Sequence, residues 1–271
     1  MKRCWRKLLT FIVVVFLAAV MLSPVYILVK VSIGVPGEVL TQHPPLLIHH
    51  ATLKHWWGLF ASGELFDPMF KSLRVATWTM FLGLALTAPA AYVISRLKRK
   101  WKYLLLMGLF FPRMFPEVGI ALPISVTFIK MDLLDTDLAL VLAHLIKTLP
   151  FVAWILVGTF SVIPTEVEEA SEVDGCSKMQ SLIRVILPLS LSGVAVAAVF
   201  LWLESWNEFT YALYLTLVER TIPLQAYYYV VRGNWFNSAS YSIMLMLPVV
   251  IVTFVLQRYI KGEYLSGALK G

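Results

Sequence analysis

The sequence predicts an all-α integral membrane protein with six transmembrane helices and a charged helical loop between the fourth and fifth. Three observations lead there. Hydrophobic residues make up 59% of the chain and charged ones only 14%, too little polar surface for a soluble domain of this length. Several apolar runs approach or exceed the ~20 residues needed to cross ~30 Å of hydrocarbon. The alternating ~10-residue segments of a transmembrane barrel are absent from the sequence.

The first predicted span covers residues 8–33. Its basic start (Lys2, Arg3, Arg6, Lys7) and apolar body mimic a signal peptide. The apolar run continues to Val29 without a small-residue cleavage site, so a retained span is expected. Residues 34–67 form the largest loop and contain His43, Pro44, Pro45, His49, His50, His55 and the pair Trp56-Trp57. The histidine spacing fits no zinc-ligand pattern, whereas tryptophans suit the headgroup region; no metal is expected. The second and third spans, residues 69–95 and 103–128, flank the basic run Arg96-Leu-Lys-Arg-Lys-Trp-Lys102. The fourth covers 138–160, the fifth 187–217 and the sixth 241–259.

Charge sets the orientation. The amino terminus, the 96–102 loop, the acidic loop after the fourth span and the 258–271 tail share one face. The other carries only Lys54, Lys130, Arg220 and Arg232. The basic face is expected to be cytoplasmic, with both termini on it. The net charge of +7 resides largely in these topology-setting clusters, which argues against nucleic acid as a partner and for the lipid bilayer. Cys4 and Cys176, the only cysteines, both fall on that face, which argues against a disulfide framework or a zinc site.

The acidic loop reads as two short helices. Thr165-x-x-Glu168 has the form of a capping box, and Glu166, Glu168 and Glu169 crowd the first turns, where the helix dipole favours them. Val167, Ala170 and Val173 form a narrow apolar stripe. Asp174-Gly175 supplies a stop, because glycine adopts the left-handed cap without strain. Ser177-x-x-Gln180 is a second capping box, and its helix runs through Leu182, Ile183 and Ile186 until Pro188 bends it into the fifth span. An acidic amphipathic helix beneath so apolar a chain reads as a docking surface, the alternative being a solvated helix stabilised by its caps alone.

Charge inside the spans is costly and marks function or internal pairing. Arg113 and Glu117 lie one turn apart near mid-depth of the third span, among Pro112, Pro116 and Pro123. That spacing allows the two to pair on one face of a broken helix beside a watery path. Glu204, Asn207 and Glu208 sit beside Trp202 and Trp206 in the fifth span. Aromatic faces with amide or carboxylate partners suit sugars, and equally suit interhelical contacts. His144 and Lys147 in the fourth span are expected to find structural partners or approach an interface.

Glu169-Ala170-Ser171, three residues, Gly175, nine residues, Val185-Ile-Leu187-Pro188 resembles the EAA loop of bacterial ABC importer permeases, with Ser171 and Val185 as departures. Lys71-Ser-Leu, Ala90-Ala-Tyr-Val-Ile-Ser-Arg96, Leu149-Pro-Phe-Val-Ala-Trp154, Ile163-Pro-Thr-Glu, Glu204-Ser-Trp-Asn-Glu-Phe209 and Gly267-Ala-Leu-Lys-Gly271 are similar to the maltose-type carbohydrate branch. The likeness covers roughly residues 68–271.

The resemblance implies a type I permease fold. It divides the chain into a first helix (1–33), an external loop (34–67), a permease core (68–262) with a coupling loop at 161–188, and a tail (263–271). It implies that Glu169 pairs with a basic residue of a cytoplasmic ATPase dimer. Ala170 and Ser171 then stay small for seating, Asp174-Gly175 makes the corner, and Leu187-Pro188 closes the motif; the terminal tail is a weaker second contact. A second homologous permease subunit and an external substrate-binding protein are the other implied partners. Arg113, Glu117, Glu204, Trp206, Asn207 and Glu208 become candidates for the translocation path.

No Gly-x-x-x-x-Gly-Lys-[Ser/Thr] loop occurs in the sequence. The chain is therefore expected to have no catalytic residues and no cofactor of its own, with ATP and magnesium held by the ATPase. The expected setting is a bacterial or archaeal plasma membrane and the expected solute a sugar or sugar derivative. An importer for a non-sugar solute is the alternative. A secondary transporter would call for an inverted repeat and an ion relay, and a membrane enzyme for a nucleophile–base or metal constellation.

Overall fold

The computed structural model describes the backbone of residues 2–268 and the side chains of residues 5–254. The side chains of Lys2, Arg3 and Cys4 and those of the 263–271 tail, whose contact is expected above, lie outside those described residues. The helices are α1 (Lys2–Ile33), α2 (Lys54–Ser62), α3 (Phe66–Ser95), α4 (Arg99–Phe110), α5 (Glu117–Lys130) and α6 (Asp137–Ser161). They continue with α7 (Thr165–Val173), α8 (Lys178–Ser181), α9 (Leu191–Trp206), α10 (Thr210–Leu215), α11 (Ile222–Val231) and α12 (Trp235–Ala268). Among the described residues there is no β-strand, only a lone bridge between Gly34 and Ala51.

Among the described residues, four helices are long and apolar enough to cross a membrane by themselves: Trp5–Ile33, Phe66–Ser95, Asp137–Ser161 and Trp235–Phe254. Two further segments qualify as bent pairs, 99–130 with an 88° bend and 178–206 with an 89° bend, which brings the total to six. The first bend falls where Pro112 and Pro116 predict it: α4 passes into a 3-10 turn, Phe111–Met114, and α5 restarts after Pro116. Pro123 stays inside α5.

The fifth span differs from the expected continuous helix over 187–217. A π-helical turn, Leu182–Ile186, and a short turn, Leu187–Leu189, precede the break at Ser190, whose hydroxyl donates to the Ile186 carbonyl at 2.6 Å. The straight part, α9, has 16 residues, roughly 24 Å at 1.5 Å per residue and short of a full ~30 Å crossing. It stops at Asn207, because the Glu208 carboxylate accepts from the backbone N–H groups of Tyr211 (2.9 Å) and Ala212 (3.2 Å) and so starts α10 as a separate helix.

The chain divides into two compact units. The unit of residues 67–224 and 248–271 centres on α6, which contributes to both of its apolar cores. Val75, Ala121, Leu140, Ala143, Tyr211 and Leu215 belong to one core. Ala91, Val152, Leu156, Phe160, Leu182, Ile186 and Leu201 belong to the other. Small residues set the helix approaches. A Cβ on Gly193 of α9 would strike the Thr159 side chain of α6, and one on Gly83 of α3 would sit 2.8 Å from Leu201.

In the unit of residues 1–66 and 225–247, α1 lies exposed, with Leu8 through Leu22 presenting apolar side chains outward. The 34–67 segment, expected as loop, contains α2. Its Trp56 stacks on Phe60 (6.5 Å) while Trp57 stays exposed. Two of the histidines here have ordinary partners. His55 stacks on Phe236 at 4.5 Å, and His50 hydrogen-bonds Glu38, holding that carboxyl below its usual range. Tyr241 donates to the Glu64 carbonyl (2.6 Å) and Tyr229 to the Glu64 carboxylate. Burial, then the Glu64 contact, pushes the Tyr229 hydroxyl up to about 12.

Candidate functional site

The acidic loop folds as two short helices, with one cap differing from expectation. Pro164 takes the N-cap position of α7, Thr165 is its first helical residue, and no side chain caps it. Glu168 does not reach back to close a box. It is buried, accepts from Arg96 Nε at 2.8 Å and also from the Tyr92 hydroxyl. A guanidinium of opposite charge attracts the carboxylate more strongly than a neutral backbone N–H does.

This places Glu168 and Ser171, three residues apart, on the inward face of α7. Glu166, Glu169, Ala170 and Val173 point outward. The apolar stripe read from the sequence is thus divided: Val167 is half-buried, while Val173 is 88% exposed. Ser171 is buried against its own chain, its hydroxyl 2.7 Å from both the Glu168 carbonyl and the Ser181 Oγ. Ser171 thus faces its own chain rather than outward, and its hydroxyl serves an internal joint.

Gly175 turns the corner with φ of +89°. Its N–H bonds the Glu172 carbonyl and the Cys176 N–H bonds the Ser171 carbonyl, each at 3.0 Å, which is the paired capping pattern that glycine permits. Ser177 and Gln180 close the second box as expected. Leu187 packs against the core and Pro188 is exposed. Replacing Gly175 by valine is expected to destabilise the corner by about 1–2 kcal/mol, since a branched side chain resists positive φ. Thermal unfolding of the purified protein checks this, with Gly175→Asn expected to lose less.

A second polar group lies within the bent spans. Arg113 and Glu117 do not pair with each other, because the break before α5 puts them on different helical segments. Glu117 pairs with Lys147 Nζ at 2.8 Å, and Arg113 donates to the Lys147 carbonyl at 2.8 Å. Glu204 lies 4.0 Å from the same ammonium. Arg113, Glu117, Lys147 and Tyr211 line a pocket of about 260 Å³. Lys147 is thus the hub of this group; the sequence marks it as a residue in need of a partner but does not say which.

The remaining path candidates go elsewhere. Trp206 is buried, stacked on Trp202 at 5.0 Å. Glu208 is buried 3.2 Å from His144 Nε2, and His144 Nδ1 meets Ser205 at 2.7 Å. Asn207 is exposed and bonds the Leu203 carbonyl of its own helix.

A third group closes the opposite end of α3. Lys71, fully buried, has Asp135 and Glu219 at 3.7 Å and Asp137 at 4.0 Å. Arg74 adds contacts to Asp137 (2.8 Å) and Glu219 (3.5 Å). Lys71 and Arg96 are separated by 25 positions of α3 and its end, roughly 38 Å along a helix, comparable to the ~40–45 Å of a bilayer with headgroups.

Residues 82–262 match the family model described as "Binding-protein-dependent transport system inner membrane component". The chain is 28% identical over 262 residues to the inner membrane ABC transporter permease protein YcjP of Escherichia coli (strain K12), covering 92% of this chain and 91% of that protein. It is also 28% identical over 273 residues to the trehalose/maltose transport system permease protein MalG of Thermococcus litoralis, covering 98% of each. In shape it is similar to a chain in the crystal structure of a bacterial ABC transporter that imports the acidic polysaccharide alginate. There the TM-score is 0.78 at 18% identity, with 96% of this chain and 98% of that one covered, a likeness of fold. The six apolar helical segments and the match across two thirds of the sequence lead to one conclusion: the chain belongs to the family of inner-membrane components of binding-protein-dependent transport systems.

Proposed function

We propose that this chain forms half of the translocation pathway of an ATP-driven, binding-protein-dependent importer for a sugar or sugar derivative, and that α7 is the helix on which a separate ATPase acts. The observation that carries the reading is the division of α7 into two faces. Glu168 and Ser171 fasten the helix to its own chain, while Glu169, Ala170 and the Asp174-Gly175 corner remain exposed. An acidic, outward-facing helix fits a basic cleft. The family membership supports a membrane subunit served by a binding protein, and the relative named for trehalose and maltose supports a carbohydrate solute.

In this reading the ATPase dimer and a second permease subunit are the partners on either side. ATP and magnesium are bound by the ATPase, since this sequence has no phosphate loop of its own. The end carrying Arg96 and α7 is cytoplasmic, as are both termini, and the Lys71 end faces outward. Arg113, Glu117, Lys147 and Glu204 are the polar side chains presented to the path.

Purification of the tagged chain from its native membrane in mild detergent tests this. An ATPase and a second permease are expected to accompany it, and the assembly in liposomes is expected to accumulate labelled trehalose or maltose only with ATP and the external receptor. A chain that transports without an ATPase overturns the reading.

A further inference from the structure

One guanidinium joins three elements beneath the spans. Arg96, immediately after α3, donates from Nε to the Glu168 carboxylate of α7. From Nη1 it donates to the carbonyls of Phe160, at the end of α6, and Ile163, in the link to α7, at 3.3 and 3.1 Å. Tyr92, one turn earlier on α3, donates to the other oxygen of Glu168 and lies under the guanidinium, 5.7 Å from ring centre to Cζ. The Arg96 and Glu168 side chains are only 18% and 11% exposed. A fork of donors held by two helices and a buried carboxylate fixes geometry as well as charge.

Glu168 and Glu169 are adjacent in sequence, about 100° apart around the helix, so one grips the chain while its neighbour faces out. A push on the outward face of α7 therefore reaches α3 and α6 through Arg96 before any other charged contact.

We propose that Arg96 and Tyr92 are positioning residues for energy coupling: by holding Glu168 they make α7 move as one piece with the ends of α3 and α6, and so pass ATPase motion to those two spans. The proposal rests on the reading of α7 as the ATPase-docking helix. Because α3 continues unbroken to Lys71, the displacement is carried along the whole span.

The test needs no knowledge of the solute. In the complete assembly, with Cys4→Ser and Cys176→Ser, a cysteine replaces Ile120, which lines the pocket beside Glu117. Its labelling rate by a membrane-impermeant maleimide is read without nucleotide and after trapping with ATP and vanadate. The parent assembly is expected to change its rate about tenfold on trapping. Arg96→Ala and Tyr92→Phe are expected to reduce that response to under about twofold, while the ATPase stays bound and hydrolyses ATP. These changes are the scale of losing one or two hydrogen bonds to a charged group.

Arg96→Lys keeps the charge and loses the fork, and is expected to fall between. A full response in Tyr92→Phe, which removes one hydroxyl and serves even where Arg96→Ala does not fold, overturns the proposal alone. An unresponsive parent assembly overturns the reading of α7 beneath it.

Discussion

Lysine in place of Glu169 is expected to lower ATP-driven uptake at least about 100-fold while leaving the spans folded. Glu169 is exposed on the outward face of α7, with no hydrogen bond or ion pair among the described residues; its loss removes nothing that those residues use. Against a basic cleft it is a different matter. Truncating one member of a buried interfacial charge pair costs about 2–5 kcal/mol, and reversing its sign adds repulsion, so a factor of 100 is a lower expectation at about 1.4 kcal/mol per tenfold. Glu166→Lys, equally exposed but a turn earlier, serves as the control. If bulk acidity alone guides docking, the two variants lose alike; if position 169 enters the cleft, Glu166→Lys loses no more than the ~1 kcal/mol of an exposed pair. Uptake, ATPase retention and circular dichroism of both variants decide it. Normal uptake by Glu169→Lys sinks the docking reading.

What the sequence makes legible is local. The apolar segments other than the fifth, the Ser177-Gln180 box and the Gly175 corner each depend on residues close to one another in sequence, and each is found near where the pattern places it. Two misread pairings involve partners far along the chain. Thr165-x-x-Glu168 matches a capping box, yet Glu168 is taken by Arg96, 72 positions away. Arg113 and Glu117 match an i,i+4 pair, yet both turn to Lys147 once the helix breaks between them. Glu208 is used twice inside, locally by the start of α10 and at a distance by His144. A polar residue in an apolar chain is easily seen, but its partner is set by helix packing, which no short-range spacing encodes.

The cluster around Lys71 is the largest such omission, and it sets the second large expectation: Lys71→Met should cost about 3–5 kcal/mol, the loss typical of breaking a buried pair from one side. The lysine is fully buried among Asp135, Asp137 and Glu219. Without it Arg74 still meets Asp137 and Glu219, but Arg74 is half exposed. The three carboxylates come from different segments: Asp135 from the turn before α6, Asp137 from its first residue and Glu219 from the link after α10. The ammonium is therefore what lets these acidic segments close over the end of α3.

Asp135 is tied further, accepting from the Leu217 and Val218 N–H groups at 3.0 and 3.1 Å from a left-handed backbone with φ of +63°. Asp135→Ala should therefore destabilise by more than Glu219→Gln. Glu219 is 56% exposed, and its replacement is expected to cost no more than about 1 kcal/mol. At roughly 2–4 °C per kcal/mol for a chain of this size, Lys71→Met should melt at least about 6 °C below the parent in detergent, and Glu219→Gln within a few degrees of it. Equal melting of Lys71→Met and the parent would mean that the acidic segments hold together without the buried cation, and that the closure of this end comes from the Ser72 hydroxyl's bond to the Ile222 N–H (2.9 Å) and the apolar core below it.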